Sequence, residues 1–267
     1  MRTRHHPTIH PLDPLLAELR RLVDDVGDPV WVGYDTAAAL HPFDGFRLRR
    51  PFHLVVPRGR SLHRVGHVIH TLRDIRPIDT EEIFGLPVMS PTRTLLQIAA
   101  HHDLTGTTHA LDGALRDGLT SEDALHRRLA ELRRPGRDGT KRLLDALQGR
   151  EITRGGHSWL EREFLRLAHI AGLPRPRTQA ILARRRDRLV RVDAWFDGTP
   201  VVVELLGYRW HRTTIQMSVD AERMNRLVLD GYLPLQFTYQ QIVTEAVDVM
   251  ATVGHALDRY IPARDRT

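Results

Sequence analysis

Two carboxylates, Asp193 and Glu204, stand inside short apolar runs where a charge needs a reason to be. The segment Arg191-Val-Asp-Ala-Trp-Phe-Asp-Gly-Thr-Pro-Val-Val-Val-Glu-Leu-Leu-Gly-Tyr-Arg-Trp-His211 reads as two strands around a turn, each strand carrying one acid. Asp197-Gly198-Thr199-Pro200 supplies a Gly where a hairpin needs positive φ, and a Pro at a strand start, where its missing N–H does least harm. A turn centred on Gly198-Thr199 sets Asp193 directly across from Glu204. A turn centred on Asp197-Gly198 sets Asp193 against Val202 and leaves Glu204 as the diagonal neighbour. Either register brings the two Cβ atoms within roughly 5–8 Å. Like charges that close on a half-buried face oppose each other's ionisation unless protons or a cation intervene. The cation suited to carboxylates, water and phosphate oxygens is a hard divalent one such as Mg²⁺. The plainer alternative is that one acid faces solvent on an edge strand.

A third acid enters from a helix. Ser158 and Glu161 have capping-box spacing at the start of a helix running to Ala171, with Leu160, Phe164, Leu167, Ala168 and Ala171 as its apolar stripe. At about 100° per residue Glu161 borders that stripe, and Glu163 lies somewhat further from it on the other side. Glu161 therefore either looks into a site on the sheet beneath the helix or spends its carboxylate on the N-cap N–H.

Composition bounds the function. The 267 residues, 41% of them hydrophobic, suffice for one large domain or two ordinary ones. The net charge of +6 comes from 39 Lys+Arg, nearly all Arg, whose guanidinium suits bidentate phosphate contacts. DNA is the partner this implies. The basic peaks are Arg184-Arg-Arg-Asp-Arg188 and Arg133-Arg-Pro-Gly-Arg137, read otherwise as solvated loop charge. The absence of cysteine excludes disulfides, thiolate zinc sites and a Cys nucleophile, and fits a reducing cytoplasm. No run approaches the ~18 apolar residues of a membrane span, and the first residues lack a signal-peptide core. The 16 His residues are scattered, without zinc-hydrolase spacing, and read mostly as surface or helix-flank residues.

The elements that must position the acids divide the chain near residue 150. Residues 1–150 read as a smaller α+β module. It has helices over 14–23 and 36–40, strands over 52–56 and 66–70, a helix started by Ser90-Pro91, and further helices over 107–116, 120–133 and 138–147. Residues 151–267 read as the Ser158 helix, strands near 179–182, 191–196 and 201–206, a helix over 219–229, a strand over 232–237 and a closing helix over 240–260. The overall class is α/β in the broad sense, α+β in detail, and the order αβββαβα makes the second half a mixed sheet flanked by helices.

Ser158-x-x-Glu161, Gln179, Val192-Asp193, Glu204 with Gly207 and His211, Asp220-x-x-Arg223, Gly231 and Phe237 together resemble the PD-(D/E)XK restriction-endonuclease-like superfamily, in the branch near very-short-patch repair endonucleases. The resemblance covers about the last 110 residues. It implies a restriction-endonuclease-like fold and hydrolysis of DNA phosphodiesters by water on Mg²⁺ or Mn²⁺. Asp193 and Glu204 would be the metal ligands, Glu161 the supporting helix acid and His211 the base or proton shuttle. Gln179, Arg191, Arg209 and Arg223 become candidates for DNA contact. Gln179 otherwise finishes a strand, and Arg223 otherwise pairs with Asp220 along its helix. The chain departs from the pattern at Leu206, which stands at the superfamily's Lys position. There its main-chain carbonyl would be the metal ligand, or the fold is kept for DNA binding with hydrolysis lost.

The first half has its own resemblance. Trp31-Val-Gly-Tyr-Asp-Thr-Ala-Ala-Ala-Leu-His41, the strand ending Val56-Pro-Arg58, and Gly85-Leu-Pro-Val-Met-Ser-Pro-Thr-Arg-Thr-Leu95 are similar to the body of AbiEi-type antitoxins of type IV toxin–antitoxin systems. That resemblance implies a DNA-associated or toxin-neutralising module, with a cognate toxin as partner. The winged helix that usually precedes the body is expected to be absent or truncated, with about thirty residues ahead of Trp31.

Overall fold

The structure, a computed structural model, describes residues 9–10, 13–132, 139–154, 158–182, 190–207 and 214–260. The chain divides into two compact units, Met1–Gly149 and Arg150–Thr267. Both are mixed sheets flanked by helices, the α+β class that the alternation of periodicities predicts.

In the first unit, helix α1 (Pro14–Val26) begins where Asp13 accepts a hydrogen bond from the Leu15 N–H at 2.8 Å and Pro14 takes the first helical position. Neither residue wastes a donor there. Its buried face, Leu16, Leu19, Leu22, Val23 and Val26, packs on Leu54, Val56 and Val88 of the sheet. Each fully buried aliphatic side chain stabilises this layer by roughly 1.5–3 kcal/mol before chain entropy is subtracted. The helix ends at Gly27, and Arg60 donates to the freed carbonyls of Val26 (2.5 Å) and Gly27 (2.7 Å). Strand β1 (Trp31–Val32), helix α2 (Tyr34–Leu40), strands β2 (His53–Pro57), β3 (Val68–Leu72), β4 (Thr80–Ile83) and β5 (Leu86–Met89) follow. The sheet order is β3-β2-β1-β5-β4, with β1–β2 and β4–β5 antiparallel and β2–β3 and β1–β5 parallel. Helices α3 (Pro91–His101), α4 (Leu104–Arg116), α5 (Glu122–Leu132) and α6 (Thr140–Arg154) come next.

The second unit contains α7 (Trp159–Ile170), β6 (Arg177–Leu182), β7 (Val190–Trp195), β8 (Val201–Leu206), α8 (Thr214–Leu229), β9 (Leu233–Thr238), α9 (Tyr239–Thr244) and α10 (Ala246–Leu257). Its sheet runs β6-β7-β8-β9, the first two pairings antiparallel and the last parallel. Leu227 of α8 is fully buried against Val190, Val192 and Val202, which fixes that helix on the strands carrying the acids.

Three expectations need correction. The single closing helix is two helices, because Glu245, at φ −128° and ψ 33°, leaves helical geometry between α9 and α10. Strands β1, β4 and β5 were absent from the sequence reading: β1 is two residues long, and Leu86-Pro-Val-Met89 has a Pro where a strand signal should be. Ser158 caps α7, accepting the Glu161 N–H at 3.3 Å, but the Glu161 side chain reaches across to β6.

Candidate functional site

The hairpin β7–β8 fixes the relation of the two acids. Thr199 closes its turn: its hydroxyl donates to the Phe196 carbonyl at 2.7 Å and accepts the Val201 N–H at 3.1 Å. The Trp195 indole N–H donates to the Thr199 carbonyl at 2.8 Å, and Gly198 supplies φ 74°. The pairs Trp195–Val202 and Ala194–Val203 centre the turn on Gly198-Thr199. That is the first of the two registers, and it sets Asp193 opposite Glu204.

The regular ladder stops at that rung. Instead of main-chain pairing, the Leu205 N–H donates to Asp193 Oδ2 at 2.7 Å. On the other side, Thr178 pairs with Ala194 and Ala180 with Val192, so Gln179 stands across from Asp193. Gln179 has φ 52°, a conformation that costs an L-residue about 1–2 kcal/mol and that tends to persist where a site requires it. Its amide donates to Glu161 Oε1. The rung thus joins Gln179, Asp193 and Glu204 on three adjacent strands, with Glu161 brought in by α7.

The positive charge comes from α8. Arg223 donates from one guanidinium nitrogen to Glu204 Oε1 at 2.8 Å and to the Arg191 carbonyl. Glu204 and Glu161 are buried, Asp193 is half-buried and Arg191 is exposed. Burial pushes the Asp193 carboxyl above its ordinary range; the Leu205 N–H pulls it down, the charge of Glu161 pushes it up, and Arg223 and Arg191 pull it down. Glu163 is also buried, more than its place on the helical wheel suggested, and accepts both of its hydrogen bonds from Arg166 at 2.6 and 2.7 Å.

Sequence candidates therefore fare unevenly. Asp193, Glu204, Glu161, Gln179, Arg191 and Arg223 converge. Leu206 ends β8 opposite Thr238, half-buried, and its side chain offers no donor to an ion. His211 and Arg209 lie outside the described residues, as do the two basic runs at 183–188 and 133–137. Glu161 Oε1 is taken by Gln179, Asp193 Oδ2 by Leu205 and Glu204 Oε1 by Arg223. As arranged, these carboxylates do not fit a divalent ion. Among the described residues no group of three or more His, Asp or Glu side chains could hold a metal ion.

A second cluster escaped the sequence reading altogether. In the first unit, His53 Nδ1 lies 3.0 Å from His70 Nε2, across strands β2 and β3. Their rings are nearly coplanar, 20° apart, with centroids 5.2 Å apart. That end-to-end meeting is an N–H···N bond, since two lone pairs converging on an ion would turn the rings toward a common point. Tyr34 stacks on His70 at 3.6 Å and takes the edge of His101 at 4.7 Å, while His102 bonds Asp35 at 2.8 Å. Tyr34 itself has φ 52°, and its N–H donates to Gln97 Oε1 at 2.9 Å. Burial, then the neighbouring His53 and His101, push His70 down to about 3; burial chiefly lowers His53 as well. Only the tertiary fold assembles these side chains from positions 34, 53, 70 and 101, so no local spacing announced them.

Comparison with known proteins separates the two halves. Residues 31–147 match the family model described as the AbiEi antitoxin C-terminal domain. The match starts at the first residue of β1 and ends within α6, so it spans the whole first sheet and its flanking helices. Neither the curated proteins nor the solved structures contain a match to the chain. No helix among the described residues is long and apolar enough to cross a membrane.

Proposed function

We propose that the protein is the antitoxin component of a toxin–antitoxin pair, with the first unit engaging a cognate toxin and the second acting as a non-catalytic DNA-binding unit. The observation that carries this reading is the antitoxin-domain match over 31–147, which coincides with one folded sheet and its helices. The net charge of +6 supports DNA as a further partner. The internal engagement of Glu161, Asp193 and Glu204 supports a second unit without turnover. The test is co-expression with each flanking gene of its native locus. One of them alone should arrest growth, and this chain should relieve the arrest; if neither flanking product is toxic, or relief never occurs, the reading fails. DNA binding should weaken steeply with added salt and survive Asp193→Asn and Glu204→Gln.

A second reading, metal-dependent cleavage of DNA by a PD-(D/E)XK-like site, draws support from the rung that sets Asp193 opposite Glu204 with Glu161 alongside. Mg²⁺ or Mn²⁺ would then be the cofactor, and His211 the base. Nicking of plasmid DNA in Mn²⁺ that disappears in Asp193→Asn would favour it over the first reading. Intact plasmid with wild-type protein on duplex, single-stranded and mismatched DNA would remove it.

A further inference from the structure

We propose that Arg223 is the resident counter-cation of the Asp193–Glu204 rung and keeps divalent cations out of it. The inference concerns the second unit alone and does not depend on whether the first unit neutralises a toxin.

A buried Glu204, opposite Asp193 and near Glu161, creates a demand for positive charge that the fold must meet from somewhere. Arg223 meets it. Leu227, four residues further along α8, is fully buried in the sheet core, so the same helical face that anchors α8 also presents Arg223 to the strands. Its guanidinium joins Glu204 on β8 to the Arg191 carbonyl on β7, and so closes the hairpin just where the main-chain ladder gives out.

An ion and this guanidinium cannot share the same carboxylate oxygen. A Mg²⁺-like ion needs ligand oxygens at about 2.0–2.1 Å, and Glu204 Oε1 already has a guanidinium nitrogen at 2.8 Å. Yet the contact is open to exchange: the Arg223 side chain is 41% exposed while that of Glu204 is 7% exposed. The arginine can leave for solvent; the acid cannot. Asp193 adds the remaining pull, since its carboxyl sits above its ordinary range with Glu161 opposing its ionisation. Neutralising position 223 therefore leaves an acid pair short of positive charge and with one oxygen freed.

The experiment is Mn²⁺ binding to the full chain, followed by calorimetry or by the loss of the free-ion paramagnetic resonance signal, with thermal melting as the check on folding. Arg223→Met should bind one Mn²⁺ at least tenfold more tightly than wild type. Arg223→Lys, which keeps the charge, should bind as weakly as wild type. Asp193→Asn added to Arg223→Met should abolish the gain, whereas a purely structural arginine would move none of these affinities. Equal affinity in wild type and Arg223→Met, or a gain that survives Asp193→Asn, overturns the proposal. Should Arg223→Met fail to melt cooperatively, Arg223→Gln replaces it. If neither folds, wild type decides: saturable submillimolar Mn²⁺ binding that vanishes in Asp193→Asn overturns the proposal, and its absence supports it. A failed growth-rescue assay would sink the antitoxin reading and leave these affinities unchanged.

Discussion

Arg128 in the first unit and Arg223 in the second both neutralise a buried carboxylate, but they do so in opposite ways. Arg128 meets Asp79 through two nitrogens, at 2.7 and 2.5 Å, and Glu131 through a third at 2.5 Å. The Arg128 side chain is 4% exposed and that of Asp79 1%. Asp79 also accepts the Arg76 N–H at 3.0 Å, and its carbonyl accepts the Ser90 N–H at 2.7 Å, tying a short 3-10 turn (Pro77–Asp79) and the start of α3 to α5. Every donor and acceptor there is committed to the fold. Arg223 touches Glu204 by one nitrogen from a half-exposed position. A sealed bidentate pair fixes geometry, whereas a single contact open to solvent can be exchanged for another cation.

The largest test of that contrast is Arg128→Met. It leaves Asp79 buried with its principal charge partner gone and should lower the stability of the first unit by about 3–5 kcal/mol. Arg223→Met should lower that of the second unit by only about 1–2 kcal/mol, the range of a charged hydrogen bond lost at a partly solvated site. Chemical denaturation of the full chain, with hydrogen exchange read separately on peptides of each unit, measures both. Equal losses would break the distinction between a structural and an exchangeable arginine.

Next in size is a difference in pH response. In the first unit His70 has its folded pKa lowered from 6.5 to about 3, and His53 shifts the same way, so the folded state binds fewer protons than the unfolded one. Their contribution is fully present above pH 6.5 and is lost as pH falls from there toward 3. Asp193 runs the other way. Its folded pKa is raised above 3.8, so its charge opposes folding at neutral pH and the penalty fades as pH falls through the folded value. Exchange protection in the first unit should therefore drop between pH 6.5 and 4, and His70→Gln should flatten that drop. An undiminished slope in His70→Gln would mean that the imidazole cluster around Tyr34 is not its source.

How much of this was legible in the sequence depended on the range of the interaction. Local signals carried far: Asp13-Pro14 and Ser90-Pro91 mark helix starts, and Gly198-Thr199 centres the β7–β8 turn, from which the Asp193–Glu204 rung follows by counting. What failed was the choice of partner. Arg223 and Asp220 have the spacing of an intrahelical pair, yet Arg223 crosses to Glu204, because α8 turns that face onto the sheet. Glu161 has capping-box spacing, yet its side chain goes to Gln179, which a positive φ turns toward it. The imidazole cluster was invisible for the same reason, since β2 and β3 are joined by a register, His53 with Val68 and Val55 with His70, that no local pattern encodes.

The smallest expected effect isolates what Asp193 is for. Asp193→Asn keeps an oxygen to accept the Leu205 N–H and removes only the charge. If that carboxylate served the fold, as Asp79 does, its neutralisation would destabilise the second unit. Burial and the nearby Glu161 argue the reverse, because both work against the ionised form. Asp193→Asn should therefore raise stability near pH 7 by less than about 1 kcal/mol, within the range of substitutions that leave packing intact. The gain should vanish below pH 3.8, where the wild-type carboxyl is itself protonated in both states. A carboxylate whose charge costs stability is one kept for what it can bind, and a loss of stability in Asp193→Asn at pH 7 would reduce it to a hairpin staple.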